Sequence, residues 1–297
     1  MSAGSDALPG TRGRKRVYLM RHGEVNYRGT DGESILTDQV PLTEEGERQA
    51  GIAGEALARV DFDVAVHTGV PRTVATVERV LAGRAVRRRE IAELREIRTG
   101  NLRLLSQERF EAEFVYGFEN AAQPGARFAG GERFADFQAR VVPAFERFLL
   151  EPGWRTALAV CHGGTNAMLL AWITGGGLAG LGPFDQDACC INVLDFDVVD
   201  GTVVRKLIRT VNATPYNLTK DGVYLSVIER LVAGELALGK VCSMYAVATE
   251  VRRADDAKGW AAMCWSTQGS GRQSQPLAGP PSLRVAIGNR RWRRWSA

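Results

Sequence analysis

Between residues 17 and 212, short apolar runs alternate with longer stretches in which apolar residues recur at helical spacing. The runs "RVYLM" (16–20), "FDVAVH" (62–67), "TALAVCH" (156–162) and "INVLDFDV" (191–198) read as strands. Residues 43–59 read as a helix: Thr43 is a fitting N-cap, glutamates occupy the first turn, and Ala50, Ala53 and Leu57 share one face. Residues 71–83 form a second, opened by Pro71 and stopped near Gly83. A third spans 131–151, with Phe134, Phe137, Val141, Phe145 and Phe148 in one stripe, and a fourth spans 165–175. Strands alternating with helices predict an α/β fold, a three-layer sandwich with a mostly parallel central sheet and helices on both faces.

Open sheets of this kind bind ligands at the carboxyl ends of their strands. The chain has three histidines, and all three fall there: His22 after the first run, His67 after the second and His162 after the third. "RHGE" (21–24) directly follows "VYLM" (17–20), and a charge cannot enter a dry core unpaired. Arg21 and His22 are therefore candidates to line a pocket at a strand end.

Composition narrows the class. With 45% hydrophobic and 24% charged residues in 297, this is the make-up of a soluble globular protein. No apolar stretch is long enough to span a membrane. Five cysteines without a CxxC pair argue against a disulfide framework and predict reduced thiols in the cytoplasm. Residues 266–297 carry six arginines and no acid; removing their +6 from the net +4 leaves −2 for the rest. The body is thus not a basic nucleic-acid binder. The expected organisation is a flexible leader at 1–15, a catalytic domain at 16–231 and a basic extension at 232–297, the last rich in Gly, Pro, Ser and Arg and read as disordered.

"LMRHGE" and "CHGGTNAMLL", separated in order by "PLTEEGERQA", "PRTVATVERV", "LREIRTGNL" and "GGERFADFQARV", resemble the histidine phosphatase (phosphoglycerate-mutase-like) superfamily over about residues 16–218. The resemblance implies a metal-independent phosphomonoesterase acting on a small phosphorylated metabolite, with no cofactor. It implies His22 as the residue that becomes phosphorylated, with Glu96 and His162 as its catalytic partners. Arg21, Arg72, Gly163 and Arg28 are implied in substrate binding. Glu93 stays open as an alternative to Glu96. The chemistry is coherent: a neutral imidazole is a good nucleophile near pH 7, two guanidinium forks neutralise a phosphate, and a carboxylic acid can protonate the leaving alkoxide.

Three histidines could instead form a zinc set, but paired arginines beside a dication are electrostatically unfavourable. A Cys161–His162 dyad is disfavoured because adjacent strand residues face opposite ways. The sequence departs from the resemblance at Val25 and Arg28, where a hydroxyl residue and an asparagine are usual, and at His67 and Thr68, where serines are usual. Arg28 and His67 would add positive charge at the pocket mouth, suiting a more anionic substrate.

Mutases of this superfamily carry a long insertion after the acid. Here Glu96 to Gly130 leaves room for one or two short helices, which favours hydrolysis over mutase chemistry. Residues 104–129, with Phe110, Phe114, Tyr116 and Phe118, are expected to form a lid, and 212–231 to cover the sheet edge. Two alternatives stand beside the phosphatase: a cofactor-primed phosphoglycerate mutase, and a non-catalytic scaffold whose "RRWRRW" end binds anions, nucleic acid included. The oligomeric state is not encoded in any pattern here.

Overall fold

A computed structural model describes residues 11, 13–27 and 38–237. Arg28, most of the leader and the Arg/Trp tail therefore lie outside the described residues.

Among the described residues six strands form one sheet: β1 (Arg14–Arg21), β2 (Val64–His67), β3 (Arg87–Glu90), β4 (Thr156–Cys161), β5 (Ile191–Val199) and β6 (Thr202–Ala213). Their spatial order is β3-β2-β4-β1-β5-β6. The first four run parallel, while β5 and β6 are antiparallel additions at one side. The mostly parallel sheet expected from the alternation is present, with an antiparallel margin that the alternation did not announce.

Among the described residues six α-helices accompany it: α1 (Glu44–Ala56), α2 (Pro71–Leu81), α3 (Gln107–Phe110), α4 (Phe134–Leu150), α5 (Gly163–Thr174) and α6 (Val227–Ala237). Thr43 caps α1 through its hydroxyl, which accepts the Gly46 amide. α2 opens on Pro71 and ends at Ala82 in the left-handed region. α5 starts at Gly163, two residues earlier than its apolar pattern suggests, so His162 itself is the N-cap.

Period-two alternation sorts the central strands onto two cores. Val17 and Leu19 of β1 and Ala157 and Ala159 of β4 join the α4–α5 side with Phe137, Phe145 and Met168. Met20, Leu158 and Val160 face the α1–α2 side with Ala50, Ala53, Val77 and Leu81. Both faces of the central strands are therefore dry, and their polar ends can emerge only at the strand termini.

The two strands absent from the sequence reading, β3 ("RRRE") and β6 ("TVVRKLIRTVNA"), are the sheet's edges. Charges on an edge strand deter pairing with other chains, and they also remove the apolar signature that marks a strand. Inside the sheet, Asp195 is fully buried; it takes the guanidinium fork of Arg16 at 2.7 and 2.8 Å and one hydrogen bond from Arg209 Nε at 3.0 Å.

Residues 214–231, within the segment expected to cover the sheet edge, are anchored to the residues just before β5. Tyr216 donates to the Ala188 carbonyl at 2.7 Å. Lys220 and Arg230 both pair with the Asp187 carboxylate. This segment is thereby tied over the turn before β5, and α6 reaches the mouth of a cavity at the strand ends. No helix among the described residues is long and apolar enough to cross a membrane.

Candidate active site

β1 and β4 are hydrogen-bonded neighbours, so the residues that follow them share one place. His22 donates its amide to the Cys161 carbonyl at 3.1 Å, and the His22 and His162 rings lie 5.2 Å apart between centroids. Both side chains are buried. Gly23 and Gly46 allow the loop after His22 to rest directly on α1: a methyl at Gly23 would come within 2.6 Å of the Gly46 carbonyl oxygen.

The His22 Nδ1 lies 2.7 Å from the Gly23 carbonyl oxygen. A carbonyl only accepts, so Nδ1 carries the proton and Nε2 carries the lone pair. Burial, then the charges of Arg21 and Arg72, hold this imidazole well below its ordinary pKa, neutral at pH 7. His162 is held neutral as well, by burial and then by His22 and the same arginines.

His162 Nε2 is 2.9 Å from Thr68 Oγ1, which in turn is 3.1 Å from Thr73 Oγ1. Thr73 donates to the Val70 carbonyl at 2.9 Å. With that proton committed, the chain runs in one direction: His162 Nε2–H to Thr68, Thr68 to Thr73, Thr73 to Val70. The threonine at the place of a usual serine thus fixes the tautomer of the second histidine, leaving Nδ1 as its unprotonated nitrogen. Nδ1 is buried and has no partner among the described residues.

Two guanidinium groups border the same space. Arg21 donates through Nη1 to the Gln186 carbonyl at 2.8 Å, and Gly163 packs against it. Arg72, only 4% exposed, reaches the Asp38 carbonyl at 3.3 Å. The Nε atoms of both are buried and without a partner among the described residues. Buried donors of this kind are rarely left unpaired in proteins, and two converging cations make an anion site.

Glu96 completes the group. Its carboxylate accepts the Ile97 amide and, at 2.9 Å, the Gly164 amide in the first turn of α5. Glu93, the alternative, faces away and pairs with exposed Arg147. Arg140 of α4 pins the carbonyls of Glu93, Arg95 and Glu96 at 2.7 to 2.8 Å and is itself braced by buried Glu132.

The structure therefore gathers Arg21, His22, Arg72, Glu96, His162 and Gly163, and leaves His67 out. The His67 ring turns back to accept the Gly69 amide at 3.1 Å, and burial lowers its pKa, so it adds no positive charge at the mouth. No group of three or more His, Cys, Asp or Glu among the described residues is disposed to hold a metal ion. The Cys161 thiol is pushed up by burial and lies within the α4–α5 core.

The cavity, about 460 Å³, extends from Arg21, Arg72, Glu96 and Gly163 past Phe114, Phe118 and Phe128 to α6. Phe110 is buried behind that wall and Tyr116 points to solvent, so neither lines it. The segment expected to form a lid stands as one wall of this cavity: α3 runs into a π-helical turn at Glu111–Val115, and Phe118 packs edge-on against Phe128 and Phe134. Sequence reasoning missed Thr73, Gln186 and the α6 residues Ile228 and Leu231, none of which carries a motif.

Comparison with known proteins agrees with this geometry. Residues 17–208 match the profile of the histidine phosphatase superfamily (branch 1). The chain is 27% identical over 204 residues to the probable 2-carboxy-D-arabinitol-1-phosphatase of Arabidopsis thaliana, covering 68% of this chain but 42% of that protein. It is 32% identical over 162 residues to a 2,3-bisphosphoglycerate-dependent phosphoglycerate mutase of Rhizobium etli, covering 50% of this chain and 75% of the mutase. The α-ribazole phosphatase structure from Shigella flexneri shares the fold at a TM-score of 0.52 and 24% identity, over 67% of this chain and 96% of that one. With the profile running from the core of β1 into β6, the chain belongs to the histidine phosphatase superfamily.

Proposed function

We propose that this protein is a metal-independent phosphomonoesterase that acts on a small phosphate ester through a phospho-His22 intermediate. The observation that carries the reading is the pairing of a neutral, Nδ1-protonated His22 with two guanidinium groups whose buried Nε atoms have no partner among the described residues.

In the first step the His22 Nε2 lone pair attacks phosphorus and the P–O bond to the leaving alcohol breaks. Arg21 and Arg72 hold the phosphoryl oxygens and neutralise them, supplying the positive field that a dication would otherwise bring. Glu96 gives its proton to the departing oxygen. In the second step water attacks phosphorus, Glu96 takes the water proton, and the P–N bond to His22 breaks to release phosphate. His162 packs edge-on against His22 at 5.2 Å, and its ring is held by the Thr68 hydroxyl.

Hydrolysis is favoured over mutase chemistry by the segment between Glu96 and Glu132. It forms a 3₁₀ turn at Leu102–Leu104, one short helix, a π-helical turn and a loop, not a large cap that would shield a phosphohistidine from water. Assay with 3-phosphoglycerate and a bisphosphoglycerate primer separates the two, and primer-dependent isomerisation would favour the mutase.

The reading is tested by quenching the protein with a ³²P-labelled ester. Acid-labile, base-stable label on the wild type and none on His22→Ala is the expected result. Equal labelling of both would overturn it.

A further inference from the structure

We infer that the leaving group taken by this site is an uncharged alcohol with an aromatic or bulky apolar body, not a phosphorylated sugar acid. The inference rests on the phosphatase reading above and concerns the end of the cavity away from the arginines.

The apolar wall starts beside the proton donor. A methyl at Gly164 would come within 2.5 Å of Glu96 Oε1 and 2.9 Å of the Phe118 ring tip, so carboxylate and ring flank the same point. Glu96 must sit at the leaving oxygen, and whatever is attached to that oxygen therefore meets Phe118 first. Beyond it stand Phe114, Leu181, Phe184, Ile228 and Leu231. The ring of Phe118 is held by Phe128 and Phe134 at centroid distances of 5.3 and 5.6 Å. That arrangement is pre-organised, so an aromatic body gains stacking and burial without the cost of ordering a flexible lid.

Charge points the same way. A sugar acid needs a cation for its carboxylate. Apart from Arg21 and Arg72, the cation lining the cavity among the described residues is Arg98, which is already paired with Glu132 at 3.1 Å. Glu119 and Asp185 lie at the exposed rim instead and would repel a second anionic group. His67 is not among the residues of this lining.

The test measures binding of three non-hydrolysable phosphonates to the full-length protein by calorimetry: 2-phenylethylphosphonate, ethylphosphonate and 2-carboxyethylphosphonate. The phenyl compound should bind about 10- to 100-fold tighter than the ethyl compound, and the carboxyethyl compound weaker than either. In Phe118→Leu/Ile228→Ala the phenyl-to-ethyl ratio should fall below about threefold; because both affinities are read on the same variant, a general loss of folded protein cancels. Phenyl and ethyl affinities within about threefold in the wild type, or tightest binding of the carboxyethyl compound, would overturn the inference. Phosphonate binding does not require His22 to accept a phosphoryl group, so loss of the labelling result with this ratio intact would sink the phosphatase reading alone.

Discussion

The His22 and His162 rings meet nearly edge to face, with 68° between their planes, and neither is exposed to solvent. Their pKa values are lowered together by burial and by the shared field of Arg21 and Arg72. In the unfolded chain both imidazoles take up protons near pH 6.5. The folded protein resists this until well below that value, so in this window the unfolded state binds more protons and stability falls as pH drops. Two such groups give a slope of about 2.7 kcal/mol per pH unit. Urea unfolding in phosphate-free buffer between about pH 7 and pH 5 reads it, and His162→Gln should roughly halve the slope. A flat profile would contradict the neutral pair.

Gly164 is where α5, Glu96 and Phe118 meet. Gly164→Ala should push the carboxylate and the ring apart while leaving the helix intact. Activity should fall about 100-fold, since displacing a proton donor by about 1 Å has that scale of effect. The melting temperature should shift only modestly. Unchanged turnover would mean that Glu96 is not held for catalysis by this contact.

Thr68 is proposed as a positioning residue that holds His162 in its Nε2-protonated form. Thr68→Val keeps the volume, removes the hydroxyl and strands a buried donor, at a cost of about 1–3 kcal/mol. Turnover should fall by about tenfold or more, and Thr68→Ser should restore most of it. Nitrogen NMR of His162 distinguishes the tautomers directly. Failure of serine to rescue would show that packing, not the hydroxyl, matters.

Arg140 and Glu132 support Glu96 from behind. The Glu132 side chain is 2% exposed, so Arg140→Leu leaves a buried carboxylate largely dependent on exposed Arg98. A loss of about 3–5 kcal/mol is expected by chemical denaturation. Arg140→Lys cannot span three carbonyls and a carboxylate at once, and should lower kcat more than it raises KM. Equal stability of the leucine variant and the wild type would refute this support.

Much of the site was legible because its chemistry sits at predictable places. Arg21–His22 and His162 close apolar runs, and Arg72 follows Pro71 at a helix start. Glu96 was separable from Glu93 only in three dimensions, where one meets the α5 amide and the other meets Arg147. His67 satisfied the same rule as the other two histidines and was misplaced by it, because a two-residue turn lets its ring bond Gly69.

What the sequence by itself determined is the local part: the four apolar strands β1, β2, β4 and β5, the helices α1, α2, α4 and α5, and that polar residues at the ends of doubly buried strands must emerge together. Those properties follow from periodicity and capping, which act over a few residues. The tertiary structure decided the rest. It set β4 beside β1 so that two distant histidines touch, ran Thr68 and Thr73 into one hydrogen-bond chain, and brought Phe118 beside Glu96 and α6 to the same cavity. Those contacts depend on strand order and on how loops pack over the sheet's end, and no spacing along a single chain encodes either.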